Sequence, residues 1–147
     1  MTGAPDFSLY PRLQQDCLVL GRMELCRVLL MNDSSYPWLI LVPERPEVRE
    51  IFELTDADQM QLIRESSLLA AHLQSTFDAD KLNVAAIGNL VPQLHLHHVV
   101  RYRTDPAWPA PVWGQRPPRP YEHGELALFL ERLQLARLPG LMPVDAV

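Results

Sequence analysis

The residues with the most chemistry in this chain lie at positions 89–102, "NLVPQLHLHHVVRY". Three of its five histidines, His95, His97 and His98, fall within four positions, and Gln93 stands two residues ahead of the first. Near neutral pH an imidazole can act as nucleophile, proton carrier or metal ligand. In "QLHLHHVVRY" (93–102) apolar residues alternate with the imidazoles, which reads as a strand. A strand repeats every two residues, so Gln93, His95 and His97 face one way and Leu94, Leu96 and His98 the other. Neighbours on one face lie about 7 Å apart along the strand, so they are expected to flank a group held at His95 rather than pack on it.

Three readings are open at this point. As a metal site, His95 and His97 would be two ligands, but a third and usually a fourth are needed. Gln93 is a poor ligand, no acidic residue follows within a few positions, and Cys17 and Cys26 have no ligand-like spacing. As a nucleophilic site, central His95 attacks an electrophile while another group orients its second nitrogen and donors receive developing charge. Backbone N–H groups of the preceding turn, and Asn89, can serve as those donors. As a plain strand, the segment carries imidazoles satisfied at a surface.

The surrounding elements must position these side chains. "CLVLGRMELCRVLLM" (17–31) reads as a hairpin around Gly21-Arg22-Met23, "NDSSYP" (32–37) as a turn, and "WLILVP" (38–43) as a buried strand stopped by Pro43. Thr55 and Asp58 resemble a capping box and open a helix over about 56–76. On it Met60, Ile63, Ser67, Ala70, Ala71 and Gln74 share one face, flanked by Leu62, Leu69 and Leu73. "KLNVAAIGN" (81–89) reads as a strand that makes a hairpin with the histidine strand through 88–92. "DPAWPAPVWGQRPPRP" (105–120) is a Pro- and Trp-rich arm, 122–138 a second amphipathic helix, and residues 1–16 irregular covering chain. Strands adjacent in sequence point to an α+β fold with a largely antiparallel sheet of about five strands, one long helix and a C-terminal helix.

At 147 residues the chain is expected to be one domain, 1–147, with its core at about 17–103. A net charge of −5 with no basic block argues against a general nucleic-acid binder, though a few donors suffice for one small nucleotide. Two cysteines make neither a disulfide framework nor a zinc ribbon and read as reduced thiols. No signal-peptide pattern and no membrane-length apolar run is present, so a soluble cytoplasmic protein is expected.

The segment Gly88-Asn89-Leu90-Val91-Pro92-Gln93-Leu94-His95-Leu96-His97-His98-Val99-Val100-Arg101 resembles the signature of the histidine triad (HIT) superfamily: His-φ-His-φ-His-φ-φ, preceded by a glycine and a polar residue and followed by an arginine. "LLMNDSSYPWLILVPE" looks like the family's turn-then-strand segment, and "DPAWPAPVWG" is similar to a tail found after the motif in a group of bacterial HIT proteins. The likeness covers roughly residues 20–102. It implies a HIT-like fold and nucleotide chemistry. His95 takes the place of the nucleophile that attacks an α-phosphate and forms a nucleotidyl-histidine. His97 takes the place of the third histidine, which contacts the phosphate and helps the leaving group.

By the same resemblance Asn89 falls in the phosphate loop, Asn32 and Asp33 near the position that meets the ribose hydroxyls, and Asn83 on the paired strand near the phosphate. Gln93 is the departure, standing where the first histidine belongs. A register starting at His95 would make His97 the nucleophile and Val99 the third position, but the leading glycine and trailing arginine favour Gln93 as position one. Glutamine can donate an N–H to a phosphate, yet it carries no charge and relays no proton. Leu90 also lacks the hydroxyl that many relatives carry.

The resemblance implies a hydrolase or transferase acting on dinucleoside polyphosphates, phosphoramidates or similar nucleoside monophosphate derivatives, with no cofactor and no metal, and a homodimer. The alternatives are a nucleotide-binding module that has lost turnover and, from another class, a His-x-His metal site. Asp56 and Asp58 read as helix caps, His72 as structural or solvated, and His123 is assigned no role; Arg101 and Arg103 are expected to be solvated at the strand end, with phosphate contact as the other role open to them. Trp108 and Trp113 are expected to pack the arm onto the body, with covering a base or a dimer seam as the other roles open to them.

Overall fold

The computed structural model describes residues 7–144. Its frame is a six-stranded antiparallel sheet with strand order β4-β5-β3-β2-β1-β6. The strands are β1 (Cys17–Arg22), β2 (Cys26–Met31), β3 (Trp38–Pro43), β4 (Lys81–Ala85), β5 (Leu96–Arg101) and β6 (Met142–Pro143). The expected α+β class holds. β6 is an addition to the expected strands: two residues pair with Gly21 and Arg22, and a Cβ on Gly21 would collide with the Met142 carbonyl oxygen.

β3 and β5 are buried along their whole length, because both faces of the sheet are covered. On one face Leu39, Leu41, Leu96 and Val100 meet the helices α2 (Asp56–Phe77) and α3 (His123–Leu133). On the other, Trp38, Ile40, Val42 and Val99 meet the N-terminal segment and the Pro/Trp arm. Part of that segment, expected to be irregular, is a short helix α1 (Pro11–Asp16), with Pro11 in the first turn, where its missing N–H costs nothing. Residues 1–6 lie outside the described chain.

Helix α2 begins at the expected cap, where Thr55 accepts the Asp58 N–H, and ends at Asp78 in the left-handed conformation. Its inward face differs from the expected one. Leu62, Glu65, Ser66, Leu69, Leu73 and Phe77 are buried, while Met60, Ile63, Ser67, Ala71 and Gln74 face outward. Glu65 belongs inside because it accepts the N–H groups of Leu25 (2.8 Å) and Cys26 (2.9 Å), which have no strand partner at the hairpin. Helix α3 is shorter than expected: Gln134 takes φ 51° and a single 3-10 turn follows.

Candidate functional site

Strand β5 pairs His97 with Ile40 of β3 and Ala85 of β4, and His98 with Leu39 and Val84. The two histidines therefore face opposite layers, as strand alternation requires. His98 is in the helical layer and fully buried. Its Nδ1 lies 3.0 Å from the Leu96 carbonyl, which only accepts, so Nδ1 carries the proton and Nε2 receives the Ser66 hydroxyl at 2.7 Å. Burial, opposed by its backbone hydrogen bonds, pushes its pKa down to about 4. His98 is a neutral strut between sheet and helix.

His95 and His97 carry opposite tautomers. His95 Nδ1 lies 2.7 Å from the Gln93 carbonyl and must donate to it, so the lone pair is on Nε2. His97 Nδ1 accepts the indole N–H of Trp38 at 3.0 Å, so its proton is on Nε2. Both Nε2 atoms lack a protein partner among the described residues, and both rings border one cleft. Burial lowers the pKa of His95, partly offset by the Gln93 bond, and takes His97 down to about 3 with help from the neighbouring imidazoles. At neutral pH the pair is a bare nucleophilic nitrogen beside a neutral hydrogen-bond donor.

The expected separation along the strand is not kept. The rings touch edge to face, 4.8 Å between centroids at 71°. β5 starts at Leu96, so His95 lies just before the paired backbone and its ring tips onto His97. The expected hairpin turn at 88–92 is longer for the same reason. Pairing closes at Ala85 with His97, and residues 86–95 form a loop over the cleft mouth.

The cleft is about 420 Å³, within the range of small-molecule sites. Met31, Trp38 and Ile40 floor it, Arg12, Leu13 and Asp16 of α1 form one wall, and Trp113 and Gly114 of the arm form another. Ile87 to Val91 rim it, with Gly88 at φ 62° making the turn. Trp113 packs edge-on to His97 (5.2 Å) and Trp38 (5.8 Å). Such a space suits a flat, weakly polar ring with a polar group directed at the imidazoles. Cys17 also lines it, but burial and nearby Asp16 push its thiol up to about 12, so it is no nucleophile at neutral pH.

Of the candidate catalytic and nucleotide-binding residues, His95, His97 and Asn89 meet at this cleft, together with Cys17, Leu90 and Trp113, which the sequence also marked. The others hold chain segments. Gln93 donates from Nε2 to the Ser8 carbonyl and accepts the Tyr10 N–H at Oε1, both at 2.9 Å. Asn32 Oδ1 accepts the Tyr121 N–H (2.9 Å), and Asp33 Oδ1 accepts those of Ser35 (3.0 Å) and Arg119 (3.3 Å). Asn83 Oδ1 accepts from Arg101 (2.7 Å).

Arg101, expected to be solvated, is buried instead. It grips Asp105 through Nε (2.8 Å) and Nη2 (3.1 Å), donates to the Ala110 carbonyl, and lies over the Trp108 ring. These bonds fasten the arm to the body, as expected of its tryptophans.

No local sequence pattern marks Trp38, Leu13, Asp16 or Met31 as cleft residues. Trp38 looked like one more apolar residue in "WLILVP". It pairs with Val99, which makes it the diagonal neighbour of His97. That relation needs the inter-strand register, which no local pattern carries.

Among solved structures the chain is similar to a histidine triad protein from Marinobacter aquaeolei VT8, at 52% identity over 90% of this chain and 98% of that one, with a TM-score of 0.86. Histidine triad proteins from Bradyrhizobium japonicum and Sinorhizobium meliloti 1021 are each 44% identical with TM-scores of 0.85, covering 88% and 89% of this chain and 96% and 97% of theirs. None of the curated proteins matches. The HIT domain family model matches residues 12–104, which span the cleft floor, its helical wall and the imidazole pair. The chain belongs to the HIT domain family.

Proposed function

We propose that the protein is a nucleotide hydrolase or transferase that works through a nucleotidyl-histidine at His95. The observation that carries this reading is the complementary pair of tautomers: a lone pair on His95 Nε2 beside an N–H on His97 Nε2. His95 Nε2 attacks the α-phosphorus of a nucleoside monophosphate derivative, and the bond to the leaving group breaks with its electron pair. The positive charge gained by the ring is shared with Nδ1–H, which the Gln93 carbonyl stabilises. Water then adds to phosphorus, the N–P pair returns to Nε2, and a proton passes to solvent. His97 donates to a phosphoryl oxygen, and Asn89, which lines the rim, donates to another. The substrates are the dinucleoside polyphosphate and phosphoramidate class.

In this reading Asn83 serves the nucleotide through the arginine that it holds, while the bonds of Asn32 and Asp33 use only Oδ1 and leave Asn32 Nδ2 and Asp33 Oδ2 for the ribose hydroxyls. The protein acts in the cytoplasm as a homodimer. Edge strand β4 with exposed Val84, and the outward Met60 and Ile63 of α2, support a second copy there. No helix among the described residues is long and apolar enough to cross a membrane, and no group of three His, Cys, Asp or Glu is placed to hold a metal ion.

A second reading, binding without turnover, is favoured by the Gln93 side chain, which is committed to Ser8 and Tyr10. Release of nucleoside monophosphate from a panel of both substrate types separates the two readings. Turnover by the wild type and none by His95→Ala supports the hydrolase; saturable binding with no release by either protein supports the module.

A further inference from the structure

His97 sits in an aromatic box. Trp38 lies 5.7 Å away at 60° and Trp113 5.2 Å away at 73°, centroid to centroid, with His95 closing the third side. An indole N–H donates and never accepts. A proton on His97 Nδ1 would therefore set two N–H groups against each other at 3.0 Å. This contact disfavours both the Nδ1–H tautomer and the imidazolium, and the low pKa of His97 agrees. A neutral imidazole with its proton on Nε2 donates a hydrogen bond readily. It surrenders that proton only by becoming an imidazolate, which neutral water does not allow.

Among the described residues no other proton donor stands beside His95. Gln93 has no proton to transfer and is bonded elsewhere. Among the cleft-lining residues Asp16 is paired with Arg12 at 2.7 Å, and Cys17 is a weak acid.

The geometry points to Trp38 as the positioning residue that holds His97 as a neutral hydrogen-bond donor, and so to phosphoanhydrides rather than phosphoramidates as the substrates. The inference rests on the His95 reading above. In the first step the His95 Nε2–P bond forms and a P–O bond breaks. The electron pair stays on a phosphate oxyanion, which is stable without a proton, so no acid is required. An amine leaving from a P–N bond must take a proton as it departs, and no described residue lining the cleft is an acid able to give one. General acid catalysis is worth about 10²–10⁴-fold, so the anhydride should be favoured by roughly a hundredfold or more.

The test joins two measurements on the full chain. The first is ¹⁵N NMR of histidine-labelled wild type at neutral pH, with His97→Asn used to assign the resonance. His97 should be protonated at Nε2 only. The second compares kcat and KM for a dinucleoside polyphosphate and a nucleoside phosphoramidate in wild type and Trp38→Phe, which keeps a ring but removes the N–H. The wild type should prefer the anhydride, and the variant should shift the phosphoramidate-to-anhydride ratio of kcat upward with little change in KM.

Equal turnover of both substrates, or an Nδ1–H or doubly protonated His97, would overturn the inference. If neither substrate turns over, the hydrolase reading fails and the substrate preference falls with it. If Trp38→Phe does not fold, the wild type decides the positioning by a scalar coupling across the Trp38 indole N–H to His97 Nδ1 hydrogen bond: its presence supports the role of Trp38 and its absence overturns it.

Discussion

The Oε1 of Gln93 accepts the backbone N–H of Tyr10 at 2.9 Å, joining residues 83 apart in sequence. With the return bond from Nε2 to the Ser8 carbonyl, one side-chain amide imitates a strand partner for the N-terminal segment. That segment leads directly into α1, which supplies Arg12, Leu13 and Asp16 to the cleft wall. A histidine here has no amide with which to make the same pair of bonds.

Gln93→Ala should therefore loosen the wall rather than disable the nucleophile, because the carbonyl that orients His95 belongs to the main chain. Two partly exposed hydrogen bonds are lost, costing about 1 kcal/mol each. Hydrogen exchange of the amides from Leu9 to Asp16 should speed up, and KM should rise more than kcat falls. A loss of kcat with unchanged exchange would place the Gln93 amide on the substrate instead.

Removing one partner of the Arg101–Asp105 pair should be far more costly. Both side chains are buried, and breaking such a pair costs about 3–5 kcal/mol by leaving a charge unmatched. Arg101→Met should lower the unfolding free energy read from urea titration by that amount and expose Trp108 to fluorescence quenchers. The double variant with Asp105→Asn should lose less than the sum of the single losses. Additive losses would mean the two residues act independently.

Acid should destabilise the fold through His98. Its pKa falls from 6.5 to about 4 on folding. Between those values the unfolded chain binds the proton and the folded chain does not, so this stability is full above about pH 6.5 and is lost as pH falls toward 4. At 1.36 kcal/mol per unit the effect is on the order of 3 kcal/mol. His97, lowered to about 3, acts in the same direction. Urea unfolding at pH 7.5 and 4.5 should show a smaller pH-dependent loss in His98→Gln than in wild type. Equal losses would show that His98 titrates normally.

Local periodicity made much of this legible. Helix α2, β3 and the shared face of His95 and His97 follow from spacing alone. The inward face of α2 did not, because Glu65 and Ser66 are buried to satisfy Leu25, Cys26 and His98. Polar residues at core positions rotate the apparent apolar face toward Met60 and Ile63. Burial of Arg101, the grip of Gln93 on Tyr10 and the reach of Trp38 to His97 depend on which distant segments meet. A side chain's type says that it needs a partner, but not which one.

In the proposed reaction His95 Nε2 forms a bond to phosphorus, and rapid acid-free quenching of the protein during turnover, followed by intact mass spectrometry and peptide mapping, reads that bond. An acid-labile adduct of one nucleoside monophosphoryl group is expected on the peptide containing His95, absent from His95→Ala and present in Gln93→Ala. Turnover without an adduct, or an adduct that persists in His95→Ala, would contradict the proposed bond.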